Sequence, residues 1–173
     1  MKTNIKFTRR FLLLVLLIFF TLPALGQEKW REIDLRVNDI GSGTSYSTVI
    51  KKLGKPRRRG TEKFDASSAC SGSAETHLTL FYSGLEVTLL GDGRKGSLNV
   101  YCIEVTSKKW IASGISIGAN VKNVLNRFGE PNSKEEKSGE TILYYVTKAN
   151  LGVVNFHFRN DKLIKILMSE TLC

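Results

Sequence analysis

The chain has 173 residues, with 26 Lys and Arg against 16 Asp and Glu, 2 His and 3 Cys, for a formal net charge of +10. That length admits one domain or two very small ones and excludes a large multidomain enzyme. With 3 prolines and 42% hydrophobic residues, a collagenous or wholly disordered chain is excluded too.

Residues 1–26 carry Lys2, Lys6, Arg9 and Arg10 and no acid, so the remainder has a formal charge of +6. Residues 11–20 are all apolar, Pro23 ends the run, and Ala24 and Gly26 stand at −3 and −1 of a cut before Gln27. This basic, apolar, small-residue order predicts a secretory signal peptide, cleaved near Gly26. The apolar run is shorter than the roughly 18 residues a membrane span needs, which argues against the alternative of an uncleaved anchor. No Cys stands at the cut to carry a lipid, and no later segment reads as a span. The expected product is secreted or periplasmic.

Export permits a disulfide. Cys70, Cys102 and Cys173 allow one bridge and one remaining thiol. Cys70 lies in a small, pliable run at 67–74 and Cys102 in a strand pattern, so Cys70–Cys102 is the preferred pairing and Cys102–Cys173 the second. Three unpaired thiols are the alternative.

Residues 40–56 and 115–131 match at an offset of 75. Ile40, Gly43, Val49, Gly54 and Pro56 recur as Ile115, Gly118, Val124, Gly129 and Pro131. Tyr46, Val49, Ile50 and Leu53 form an i, i+3, i+4, i+7 stripe, and Val121, Val124, Leu125 and Phe128 form its counterpart, so each segment predicts a short helix. Ser45 and Asn120 stand at N-cap positions, Gly54 and Gly129 where a positive φ closes the helix, and the prolines follow. Leu53 and Phe128 should be equivalent core positions.

Strands are predicted at 78–82, 85–89 and 98–105 after the first helix, and at 141–147, 153–158 and 163–168 after the second. The polar stretches 57–75 and 132–140 read as long loops. The expected fold is therefore α+β in two tandem units, 27–110 and 111–173, each a short helix followed by a three-stranded antiparallel sheet; side by side, the two could share a sheet or pack sheet on sheet. A helix covers one sheet face and leaves the other open. Leu85, Val87 and Leu89 should face the helix. His77, Thr79 and Phe81, with Ile142, Tyr144 and Val146, should point outward, making Phe81 and Tyr144 candidate binding residues. A one-residue error in phase would reverse every assignment.

The run Gly43-Thr44-Ser45 with Val49-Ile50-Lys51-Lys52-Leu53-Gly54-Lys55-Pro56 resembles the repeat of the β-lactamase inhibitor protein superfamily, and is similar to the SmpA/OmlA small lipoproteins of the β-barrel assembly machine. Gly118 and Val124-Leu125-Asn126-Arg127-Phe128-Gly129-Glu130-Pro131 repeat the match. The resemblance covers most of residues 40–173. It implies helix-plus-sheet units in a non-enzymatic envelope or secreted protein that binds other proteins. Two features depart from it. Gln27 stands where the lipoproteins carry an acylated Cys. The inhibitors place an inserted acid, with aromatics around it, on a hairpin turn; Asp92 is the candidate counterpart, but Arg94 and Lys95 follow it rather than aromatics, and it reads as an ordinary Asp-Gly turn.

His77 and His157 each fall in a strand pattern with no His, Cys or acid at metal-ligand spacing. Cys70 and His77 lack an orienting third residue, and no Gly-rich loop opens a helix after a strand. The expectation is a protein without catalysis and without a cofactor. One asymmetric feature remains. Lys51, Lys52, Lys55, Arg57, Arg58 and Arg59 give +6 within nine residues, whereas 126–134 gives +1 from Arg127, Lys134 and Glu130. Such a cluster suits an acidic protein face, an anionic lipid or an acidic glycan. No aromatic platform is interleaved with it, which argues against nucleic acid. A solvated helix end is the plainer alternative. The sequence thus points to an exported binding module acting on an envelope or extracellular protein through a sheet face and a basic patch, with an inhibitor of a secreted hydrolase as the second reading.

Overall fold

A computed structural model describes residues 32–66, 73–92, 94, 96–148 and 152–170. The expected signal peptide, its cleavage point, Cys70 and Cys173 lie outside these residues. Those described belong to one compact unit. Among them no helix is long and apolar enough to cross a membrane.

The chain begins with β1 (Glu32–Ile33) and reaches α1 (Tyr46–Leu53) through a tight reversal at Asn38 and Asp39. Four strands follow: β2 (Arg58–Phe64), β3 (Glu75–Tyr82), β4 (Leu85–Gly91) and β5 (Asn99–Val105). A small hairpin, β6 (Ile111–Ala112) with β7 (Ile115–Ser116), leads to α2 (Val121–Phe128). Four more strands complete the order: β8 (Ser133–Lys137), β9 (Glu140–Thr147), β10 (Gly152–Arg159) and β11 (Lys162–Glu170).

Both helices fall where the stripes place them. Ser45 Oγ accepts a long bond from the Thr48 amide, 3.4 Å, and Asn123 Oδ1 accepts from the Asn120 amide at 3.0 Å. Gly54 and Gly129 close the two helices at φ +76° and +79°, donating to Ile50 and Leu125 carbonyls. Positive φ is open to Gly at little cost, whereas it strains the backbone of a residue that carries a Cβ. Val49 and Val124 are the fully buried helix residues. Leu53 and Phe128 are only partly buried against the same core, so the stripe is right but its deepest point lies one turn earlier.

The strands are where the expected fold needs correction. The stretches 57–75 and 132–140, expected to be loops, contain β2 and β8, so each helix is followed by four strands rather than three. Of the two arrangements open to the units, the two sets share a sheet and do not pack sheet on sheet. They form one nine-stranded sheet in the order β1-β9-β10-β11-β5-β4-β3-β2, with β8 also paired to β9. β11 joins β5 antiparallel at the centre, Ile166 opposite Val105 and Met168 opposite Ile103. β1 runs parallel to β9 beyond the end of β8.

Several hydrogen bonds recur between the two halves. Tyr82 Oη donates to the Gly54 carbonyl at 3.1 Å, and Tyr145 Oη to the Gly129 carbonyl at 2.7 Å. The Arg57 amide donates to the Phe81 carbonyl and the Asn132 amide to the Tyr144 carbonyl, both at 2.8 Å. Each tyrosine thus ties the end of a helix to the sheet face beneath it, and both helices cover the same face. That face carries Leu80, Leu85, Val87, Leu89, Ile103 and Val105 from the first half, and Leu143, Tyr145, Val154, Phe156, Phe158 and Ile166 from the second, all buried. The aromatic centre is Phe156, whose ring lies 5.4 Å from Phe128 and 5.6 Å from Tyr145.

Candidate functional site

Because successive side chains alternate across a strand, burial of Leu80, Val87 and Ile103 sends their neighbours to the opposite face. Leu85, Val87 and Leu89 do face the helices, and Phe81, Thr79 and His77 with Ile142, Tyr144 and Val146 lie on the other side. No described helix lies on that side.

The strand register aligns a single row of side chains across this open face. Arg58, Phe81, Glu86 and Glu104 are successive partners in the first half. Glu104 stands opposite Leu167, and the row continues through Asn155 and Tyr144 to Ser133. Phe81 and Tyr144 therefore share a row, but five strand spacings separate them, roughly 24 Å at the usual ~4.8 Å interval. They flank the face and do not form one pocket. The Arg58 guanidinium sits 3.7 Å above the Phe81 ring, and Tyr144 Oη donates to Glu135 at 2.6 Å.

The middle of the row holds a pair that the sequence reading did not single out. Glu86 and Glu104 are directly opposite each other on β4 and β5, and neither makes an ion pair among the described residues. Like charges placed so oppose the pairing of their strands. Cys102 lies one pair further along β5, opposite Thr88 and Ser169. Burial, and then the Glu104 and Glu86 charges, push its thiol up to about 11. It stays protonated and a poor nucleophile at neutral pH. The expected Cys70–Cys102 bridge involves a residue outside those described.

The two histidines sit toward opposite flanks. His77 Nδ1 is 3.1 Å from Tyr101 Oη, its ring is 4.6 Å from that of Phe64, and Glu75 Oε2 is 3.6 Å from Nε2. His157 has Glu140 Oε2 at 3.5 Å from Nδ1, long for a hydrogen bond, and Arg159 holds the same carboxylate at 2.6 Å through Oε1. Burial holds the His157 imidazole below its ordinary range, Lys165 adds to this, and Glu140 and Glu104 oppose it. The folded state therefore binds this proton less readily than the unfolded chain. Stability from this group is present above about pH 6.5, the unfolded value, and is lost as pH falls through the lower folded value. We expect the melting temperature to drop between pH 7 and 5 more steeply for the wild type than for His157→Gln. Identical pH profiles would show that His157 carries none of the acid sensitivity.

The basic cluster is divided among three surfaces. Lys51 and Lys52 end α1, and Lys52 pairs with Asp39 at 2.9 Å. Lys55 and Arg57 are exposed between α1 and β2. Arg58 and Arg59 belong to the edge strand β2 rather than to a loop, and alternation separates them. Arg58 covers Phe81 on the open face, and Arg59 lies 6.0 Å from the Tyr46 ring on the helix face.

Asp92 is occupied within its own turn. Its Oδ1 accepts from the Arg94 amide at 3.1 Å, Oδ2 accepts from Arg94 Nε at 2.8 Å, and Ser97 Oγ also donates to it. The Arg94 side chain, followed by Ser97, holds the carboxyl far below the usual carboxylate range. Among the described residues no group of three His, Cys, Asp or Glu is placed to hold a metal ion.

No family model matches the chain, and no curated protein matches it. Among solved structures it is similar to an extracellular protein containing a SCP domain from Bacillus anthracis, with 12% identity and a TM-score of 0.44 over 74% of this chain and 43% of that one. It is also similar to a DUF4309 family protein from Bacillus subtilis, with 9% identity and a TM-score of 0.37 over 73% of this chain and 78% of that one. A third likeness is to a putative beta-lactamase inhibitor protein from Streptococcus mutans, with 18% identity and a TM-score of 0.28 over 76% and 85%. The chain spans less than half the length of the first of these three.

Proposed function

We propose that the protein is an exported, non-catalytic binding module that receives a partner protein on the open face of its sheet. The leader pattern of residues 1–26 supports export. The observation that carries the binding is the make-up of the open face. An antiparallel sheet with one wet face ordinarily alternates apolar inside with polar outside. Here the outer positions include Phe81, Leu90, Leu167, Ile142, Tyr144 and Val146, around the unpaired Glu86 and Glu104. Apolar flanks with a central pair of carboxylates fit a protein surface that presents a basic side chain between apolar ones. The basic patch is a second contact region, suited to an acidic protein face, an anionic lipid or a glycan.

Affinity capture from periplasm and culture medium tests this reading. A protein captured by the wild type should be lost with Leu167→Arg and with Glu104→Lys, and retained with Lys122→Ala on the exposed side of α2. Capture unchanged by both open-face substitutions would remove the proposal. The patch has its own test. Replacing Arg57, Arg58 and Arg59 with Ser should leave melting nearly unchanged, since exposed charges contribute little to folding. It should weaken binding to a polyanionic surface and flatten the salt dependence. Unchanged binding at low salt would reduce the patch to a solvated helix end.

A further inference from the structure

The two edges of the large sheet are built differently. On one side β9 is covered by the five residues of β8 and then by β1. β8 is neutral and occupied with itself, Lys134 pairing with Glu136 at 2.7 Å and Glu135 accepting from Tyr144. On the other side β2 is the last strand, seven residues long, and no described strand lies beyond it.

The outward groups of β2 follow from hairpin geometry. Tyr82 and Leu85 flank the two-residue turn Ser83-Gly84 and so form a hydrogen-bonded pair. Alternation then turns Phe81, Thr79, His77 and Glu75 toward β2, where they meet Arg58, Gly60, Glu62 and Phe64. Arg59, Thr61 and Lys63 are left with N–H and C=O groups directed away from β3. The opposite edge has the same phase. Lys137 and Glu140 flank the turn Ser138-Gly139, and the residue preceding each edge strand donates to the carbonyl opposite its first residue.

This edge is also the basic one. Arg57, Arg58, Arg59 and Lys63 make no ion pair among the described residues, and Glu62 is the only acid on the strand. Long side chains of one sign therefore stand on both faces beside a row of free backbone donors and acceptors. A second, antiparallel copy of β2 centred on Thr61 would set Arg59 against Lys63, like charge against like, which opposes self-pairing. A lipid surface offers charge but no peptide groups for the backbone.

We propose that β2 is a docking edge for an extended acidic segment of a partner protein, which adds to the sheet as a further strand. Main-chain bonds to Arg59, Thr61 and Lys63 hold the segment, and its carboxylates meet the arginines on either face. The inference rests on the basic patch and needs nothing from the open face beyond Arg58.

The test uses the purified protein and a blocked peptide of about ten residues in which Glu-Glu pairs alternate with Val-Val pairs, so that carboxylates stand on both faces and the peptide is long enough to span β2. The amide signals of Arg59, Thr61 and Lys63 should shift on titration, and their hydrogen exchange should slow. Thr61→Pro removes an outward amide while leaving the β2–β3 bonds in place, so the variant should fold and bind the peptide about tenfold more weakly or worse. Thr61→Val should bind as the wild type does. A peptide of equal charge with Pro in place of its central valines should bind at least about tenfold more weakly. If Thr61→Pro and the Pro-containing peptide both retain full affinity, strand addition is wrong and the patch acts through charge alone. If neither peptide binds, the patch reading fails with it.

Discussion

Phe156→Ala should lower the stability of the protein by about 3–5 kcal/mol, the usual cost of emptying a fully enclosed aromatic site. Phe156 is 0% exposed and packs against the rings of Phe128 and Tyr145. Since Tyr145 also fixes the Gly129 carbonyl, the cavity would loosen the attachment of α2 as well as the sheet beneath it. For a domain of this size the melting temperature should fall by roughly 10 °C, at about 2–4 °C per kcal/mol. Val153→Ala is the control on the same strand. Val153 points to the opposite face and is 37% exposed, so its loss should stay within about 0.5–1 kcal/mol. Urea titrations giving equal, small effects for both would mean that the helix-covered face is not the core.

Gly84→Ala should be nearly as damaging, for a different reason. Gly84 has φ +71°, and a Cβ there would lie 2.2 Å from Ser107 Cβ and 3.1 Å from the Ser107 amide. The turn has little freedom to shift, because the Gly84 carbonyl accepts from Thr106 and the Ser83 carbonyl accepts from Trp110 Nε1 at 2.8 Å. The positive φ costs about 1 kcal/mol and overpacking about 1–3 kcal/mol more. Gly139→Ala separates the two effects. Gly139 is likewise the second residue of a two-residue hairpin turn, with φ +77°, but nothing lies within 4 Å of the added Cβ. It should lose only about 1 kcal/mol, the positive-φ cost. Matching losses at both sites in thermal unfolding would show that Ser107 yields and the clash is not real.

What could be read from the sequence was whatever buries one face. The α1 and α2 stripes, their capping residues and closing glycines all leave a residue signature. So do β3, β4, β9 and β10, whose alternation also gave the correct outward placement of Phe81 and Tyr144. β2 and β8 left none. Every residue of Ser133–Lys137 is exposed, and β2 buries none of its side chains, so polar edge strands read as loops. The joining of β5 to β11 was hidden for a related reason. Both strands are apolar on the core face, and either could have paired elsewhere without disturbing that pattern. The open-face row was legible only in part. Phe81 and Tyr144 stand out as large apolar residues, but the opposition of Glu86 and Glu104 depends on a register that a bulge between Thr88 and Leu89 adjusts.

The central pairing of β5 with β11 also governs how the chain reaches this state. Within each half every neighbouring strand pair is a hairpin, so β2 to β5 and β8 to β11 need only short loops to close. Val105 meeting Ile166 is different, because the small β6–β7 hairpin, the whole second helix and three long strands must be gathered between them. Long closures slow folding because their entropy is lost before their contacts form. The two meanders should therefore appear early and the central seam late. Substitutions at Ile103 or Met168 should then mainly speed unfolding, while equivalent losses within a hairpin slow refolding. Stopped-flow folding and unfolding arms for the two kinds of variant would separate them. A break at the seam would leave two half-sheets, each with a raw inner edge able to pair with the same edge of another molecule, so exchange of halves between copies is the failure to expect at high concentration.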